Sequence, residues 1–272
     1  MINDEDENAY QSLAAAIGGE ERWAFGTGFD DPLAGIDTTV PADLDAAALA
    51  EQCLALGDDA LVMAQRLGLW CSNAPELEDE VAIANIALDL LGQARMVLTR
   101  AAQADPSVRP PSAPAHVPDE DALAYFRDPH EFRNVRLAAL DPDGDFGVLI
   151  AQLCAFTEYR ITRLDDAQAS KDPVLSAIAI KGRIEATYHR EYATGWLIRL
   201  GDGTDESRRR MVSALSIIWP YLPDFDREVF DAALSRASLE APPQQPAPFV
   251  DERTPLIDEM QSLARAIPEA TW

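Results

Sequence analysis

The chain has 272 residues, 47% of them apolar and 25% charged, enough to bury one sizeable core. Its 47 acidic residues outnumber 22 basic ones, and the net charge of -25 disfavours nucleic acid and anionic membrane surfaces, which both need a basic footprint. No run of about 18 apolar residues predicts a membrane span, and Asp4-Glu5-Asp6-Glu7 has neither the basic nor the apolar region of a secretory signal, so a cytoplasmic protein is expected.

Residues 1–42 read as an acidic N-terminal extension, Gly/Pro/Asp-rich from Gly26 to Pro41, with one short helix expected over Tyr10 to Ile17. Residues 43–272 read as one helical domain. A long amphipathic helix is predicted from Leu44 to Cys71, with Pro41 upstream as a start signal. Ser72-Asn73-Ala74-Pro75 is a turn, and a second helix runs from Pro75 to about Gln103, with Glu76, Glu78, Asp79 and Glu80 at the positive end of its dipole. Asp105 to Pro118 is a proline-rich connection, and Asp119 to Leu137 a shorter helical stretch broken at Pro129. After the Asp141-Pro142-Asp143-Gly144 turn, a third long helix spans Phe146 to about Ala169 and a fourth Pro173 to Leu200, closed by Gly201. Further helices are predicted over Thr204 to Trp219, Asp226 to Ala237 and Pro255 to Ile267, with a linker from Ala241 to Pro248. Nothing alternates with period two for long enough to demand a strand. Two long helix pairs joined by one long connection give an all-α, ferritin-like helical bundle with additional C-terminal helices.

Four acids, Asp58, Asp89, Glu158 and Glu185, fall one on each long helix. A carboxylate-bridged di-metal bundle also needs two Glu-x-x-His pairs, because side chains at i and i+3 reach the same metal. The histidines are His116, His130 and His189, preceded at three places by Ala113, Arg127 and Ala186, so the pair never occurs. Gly92 stands where a ligand histidine would follow Asp89. Tyr188 stands where one would follow Glu185, and His189, one place late, is turned by about 100° off that face. Buried acids without metal need cations, and Arg66, Arg163 and Lys181 are the expected partners. No catalytic, cofactor-binding or metal-ligating residue is therefore assigned, and Asp58, Asp89, Glu158, Glu185 and His189 are read as vestigial positions. His116 and His130 are read as surface or loop residues.

The second helix is apolar almost all round from Val81 to Ala94, with Asn85, Asp89 and Gln93 as one polar stripe, and is expected to be buried. Other polar residues interrupting apolar runs are Gln65, Gln152, Tyr159, Arg160 and Tyr192. Cys53, Cys71 and Cys154 are read as reduced, small apolar residues, and Trp196 and Trp219 as core. Lysine occurs only at Lys171 and Lys181. A GC-rich genome explains that bias, and the high acidity raises a salt-rich cytosol as a further expectation.

Several runs carry a family resemblance: Leu56-Gly57-Asp58-Asp59-Ala60-Leu61, Ala84 through Arg95, Glu185-Ala186-Thr187-Tyr188-His189 and Gly195 through Asp205. Over about residues 48 to 235 and the terminal helix, the chain resembles the PaaC-type subunits of the bacterial multicomponent phenylacetyl-CoA epoxidase. The resemblance implies a ferritin-like subunit in a complex that converts the aromatic ring of phenylacetyl-CoA to an epoxide with O2 and NADPH. It implies that this chain binds no cofactor. The di-iron centre belongs to a homologous catalytic subunit, and NADPH, flavin and the iron–sulfur cluster to a separate reductase. A small bridging subunit docks on the core, and a homodimer is the expectation for the chain alone. Two rivals stand beside this reading. One is a stand-alone Mn or Fe carboxylate oxidase using Asp58, Asp89, Glu158, Glu185 and His189, and the other is a helical adaptor unrelated to oxygenation.

Overall fold

The computed structural model describes residues 33–248 and 250–270, and these form helices and loops without a strand among them. The expected Tyr10–Ile17 helix, Trp23 and Trp272 lie outside the described residues. Four long helices build the bundle: α1 (Ala46–Gly68), α2 (Leu77–Ala104), α5 (Phe146–Gln168) and α6 (Pro173–Gly201). Between the pairs the chain makes two short helices, α3 (Asp119–Tyr125) and α4 (Arg136–Ala139), with single 3-10 turns at Pro106–Val108 and Pro129–Glu131. The expected Asp119–Leu137 stretch is thus three separate pieces. Three further helices follow: α7 (Asp205–Ile218), α8 (Glu228–Arg236) and α9 (Arg253–Ala266).

Local chemistry sets the helix ends. Asp45 caps α1 by accepting from the Ala48 amide at 3.1 Å, and Asp145 caps α5 through the Gly147 amide at 2.7 Å. Asp172 caps α6 through the Leu175 amide at 2.7 Å, ahead of Pro173. Asp172 is also fully buried against the Arg100 guanidinium, which ties the start of α6 to the end of α2.

The α1–α2 and α5–α6 hairpins pack on one another, α7 and α8 cover α5 and α6, and α9 closes over α1, α3 and α4. Aliphatic residues such as Leu54, Leu98, Leu149 and Leu197 fill the shared core. At Gly57, where α1 crosses α2, a Cβ would come within 2.7 Å of Leu98, so the absent side chain permits the close approach. The end of the expected extension is part of this packing. Leu33, Ile36 and Val40 lie against the core, and Arg100 donates to the Thr38 carbonyl at 2.6 Å.

The structure corrects one reading of the second helix. It is not buried all round: Leu77, Val81, Leu88 and Leu91 are exposed along one side. By length and composition α2 is also apolar enough to cross a membrane, and part of its apolar window is buried in the bundle, as in the core helix of a bundle. Periodicity shows that an apolar face wants cover, not that its own chain supplies it. Cys53 and Cys154 are buried as expected, but Cys71 is exposed beyond the end of α1. Trp219 is core, whereas Trp196 is half-buried, edge-on to Phe146.

Candidate functional site

The interior of the bundle carries polar side chains from all four long helices, arranged as separate clusters. On α1, Asp58 is fully buried and receives both arms of the Arg127 guanidinium and the Arg133 amide at 2.9 Å. Arg127 lies in the loop after α3, donates to the Leu123 carbonyl at 2.5 Å and stacks over Phe132. Asp59, next along, accepts from the Val135 amide at 2.7 Å and from the Tyr159 hydroxyl at 3.0 Å. Complete burial pushes the Asp59 carboxyl up to about 6, against the pull of the Val135 amide and nearby Arg160. Burial beside that carboxylate also raises the Tyr159 phenol.

The centre is held by Arg160 of α5. It donates to the Leu56 carbonyl on α1 at 2.6 Å and to Gln93 Oε1 on α2 at 2.9 Å. The Gln93 amide nitrogen donates to Glu185 Oε2 on α6 at 2.8 Å, and Lys181 Nζ donates to Glu185 Oε1 at 2.6 Å. One hydrogen-bonded chain therefore crosses all four helices around an internal guanidinium. Burial lowers the Arg160 pKa to about 10, so it stays charged at neutral pH.

The remaining positions stand apart. Asp89 is half-exposed and meets the buried His189 Nε2 at 3.0 Å. Glu158 lies 3.7 Å from Arg190, and its carboxyl is raised by burial. Of the expected cation partners, Lys181 reaches Glu185. Arg66 instead bonds the Ala139 carbonyl at 2.6 Å and Asp141 at 3.2 Å, because α1 turns it toward the loop after α4. The buried Nε of Arg163 has no hydrogen-bond partner, and none of the four acids pairs with this side chain among the described ion pairs. His116 and His130 lie exposed outside the long helices.

Sequence reasoning misses the roles of three members of this interior. Asp59 hides beside Asp58, although an adjacent acid pair inside an apolar run is itself a signal. Arg127 gives none, since its partner lies 69 residues away. Asp79, which the sequence places as a dipole-facing acid, is buried and accepts from the Tyr192 hydroxyl at 3.0 Å and the Trp196 indole at 2.8 Å.

These residues do not fit a pair of metal ions. Among the described residues no three His, Cys, Asp or Glu side chains are grouped to hold one. The carboxylates face arginine, lysine, histidine or tyrosine donors, and the Arg160 guanidinium would repel a divalent cation placed beside it. At Gly92 a Cβ would meet nothing within 4 Å, so the place of the missing histidine opens onto a groove of about 500 Å³ lined by Leu88, Asp89, Lys181 and Glu185.

A family model described as phenylacetic acid catabolic protein matches residues 35–248. The chain is similar to the C subunit of the 1,2-phenylacetyl-CoA epoxidase of Escherichia coli (strain K12), with 41% identity over 197 residues, 72% of this chain and 75% of the relative. With the match spanning all four bundle helices and the crossing network between them, the chain belongs to the phenylacetic acid catabolic protein family.

Proposed function

We propose that this chain is the non-catalytic C-type subunit of a phenylacetyl-CoA epoxidase complex, and that it supports a homologous catalytic subunit that carries the di-iron centre. The observation that carries this reading is the Arg160–Gln93–Glu185–Lys181 chain. It fills the bundle interior with fixed positive charge and occupies both oxygens of Glu185. A copy of the fold with its acids engaged in this way has lost the open coordination positions that oxygen chemistry at a metal requires. It keeps the rigid helical frame that a partner bundle can pack against, and a well-supported frame holds a neighbouring site to its working geometry. The similarity to an epoxidase subunit supplies the substrate class, aryl-CoA thioesters, and the expectation of partner chains.

Metal content tests the reading. The full chain, purified alone after growth with added iron, is expected to hold less than about a tenth of an equivalent of metal by elemental analysis, and to consume no O2. About two equivalents would overturn the scaffold role and make the chain an oxidase in its own right.

A further inference from the structure

A groove of about 620 Å³ lies between α3 and α9. Val117, Tyr125, Phe126, Met260, Leu263 and Ile267 line it. Leu263 is 53% exposed and Ile267 50%, so the outer side of α9 is an apolar face only half covered by the described residues. Met260, Leu263, Ala264 and Ile267 recur at steps of three, four and seven, along one side of α9 and its cap. Asp121 is the one acid in the groove wall, and its carboxyl is raised by burial and by Glu120 beside it. Arg265, next to the wall, is turned to the Tyr125 and Arg127 carbonyls at 3.3 and 2.8 Å, and Glu269 adds a second acid nearby. No lysine or arginine lines the groove, which disfavours a phosphate-bearing ligand or an acidic peptide. An uncharged apolar segment suits it.

The chain itself contains such a segment. Asn8 to Gly19 holds no charged residue, although Asp4-Glu5-Asp6-Glu7 precedes it and Glu20-Glu21-Arg22 follows. Within it Tyr10, Leu13, Ala14 and Ile17 recur at the same steps of three, four and seven, the anchor pattern of a helix laid in an apolar groove. The described chain also begins close by. Leu33 shares a cleft with Thr38, Arg100, Gln103 and Glu120, and Arg95 holds Glu120 at 3.2 Å. Glu120 and Asp121 are neighbours on α3, one lining the cleft at Leu33 and the other the α3/α9 groove. The thickness of one helix, about 10 Å, therefore separates Leu33 from the groove. Gly18 to Pro32 is a stretch of 15 residues, which spans up to about 50 Å when extended, several times what is needed. A tether of that length holds the segment near the groove at an effective concentration of about a millimolar, which favours it over the same segment of a second copy.

We propose that residues 8–19 of the chain's own N-terminal segment dock in the α3/α9 groove, with Tyr10, Leu13 and Ile17 as the anchors against Tyr125, Leu263 and Ile267. The acidic extension then has a task that the epoxidase reading does not give it: it closes an apolar face of its own chain. A thiol reporter in the full chain tests this. Cys71→Ser removes the one exposed native thiol, since Cys53 and Cys154 are buried. In that background Ala264→Cys places a thiol in the groove wall, and Val212→Cys places one on the exposed side of α7 as a control. Each reporter is combined with Leu13→Glu/Ile17→Glu. Ellman's reagent is expected to react with the thiol at position 264 at least about tenfold faster when the segment carries the two glutamates, and with the thiol at position 212 at an unchanged rate. Equal rates at position 264 with and without the glutamates would overturn the docking, and so would an equal rise at both reporter positions. Protection at position 264 that fades on dilution would assign the groove to a second copy and overturn the proposal as well. The same holds if Trp272→Gly exposes position 264 while Leu13→Glu/Ile17→Glu does not, which would make the C-terminal indole the occupant.

Discussion

Replacing Arg160 by Met keeps the aliphatic stem and removes the charge and all its donors. The Leu56 carbonyl lies within α1, and its helical partner compensates there. Gln93 Oε1 loses both bonds from Arg160, at 2.9 and 3.3 Å, and is left as a buried acceptor, a cost of about 1–3 kcal/mol. Asp59, completely buried, loses the cation that favours its charged form. Breaking a buried charged network from one side costs about 3–5 kcal/mol. The variant recovers the penalty of burying the guanidinium itself, so the lower end, about 3 kcal/mol, is expected. For a domain of this size that lowers Tm by roughly 6–12 °C. Urea unfolding followed by circular dichroism at pH 7 measures the loss, and a value below about 1 kcal/mol would refute the central role of this guanidinium. A second arm uses Gln93→Leu. Once the amide is gone, Arg160→Met has no Gln93 acceptor to strand, so the double variant is expected to be about 1–2 kcal/mol more stable than the sum of the single losses. Strict additivity would show that the two side chains do not interact as the geometry requires.

Three further outcomes follow from particular contacts. The Asp59 carboxyl stands near 6 in the folded chain against its ordinary 3.8, so the folded state binds this proton more tightly, and the stability it contributes is present below about pH 4 and lost as pH rises through 6. Asp59→Asn removes that loss, and its unfolding free energy should gain on wild type by about 2–3 kcal/mol between pH 4 and pH 7; a difference that stays flat with pH would count against the assignment. Burial pushes the Cys53 and Cys154 thiols up to about 12 while Cys71 is exposed, so Ellman's reagent should titrate one thiol in the native chain and three in guanidinium. Gly201→Ala would bring a Cβ within 2.5 Å of the Ala237 carbonyl, and it is expected to destabilise by about 1–3 kcal/mol despite the better helix propensity of Ala, with an unchanged Tm as the contrary result.

Much of the fold is legible in the sequence because helix boundaries are written locally. Asp45, Asp145 and Asp172 cap the three helices that follow them, and Pro173 and Gly201 mark the two ends of α6. The polar interior is legible only in part. Gln93, Arg160 and Glu185 stand out as polar residues in apolar runs, but their order across the bundle depends on how three helices rotate, which no single helix encodes. His189 shows the limit. The expected turn off the face of Glu185 does not occur: residues four apart lie on nearly one side of a helix, so Glu185 and His189 both face α2, where they meet Gln93 at 2.8 Å and Asp89 at 3.0 Å. Asp58 shows it again, since its cation comes from a loop after α3 and not from a neighbouring long helix.

The interior network and the open outer face bear on one another. A guanidinium offers five donors in a planar fork, so Arg160 can bond the α1 backbone and the α2 amide at once, whereas a single ammonium of similar reach has no such fork. Through Gln93 that tie extends to Glu185, and Asp172 with Arg100 repeats the link near the other end of the same pair of helices. The α2–α6 spacing is therefore pinned at several heights: by Asp79 against Tyr192 and Trp196, by Asp89 against His189, by Gln93 against Glu185, and by Arg100 against Asp172. A seam fixed at those points holds the exposed Leu88 and Ile184 in constant register on its outer side. The polar bonds inside thereby set the shape of the apolar surface outside.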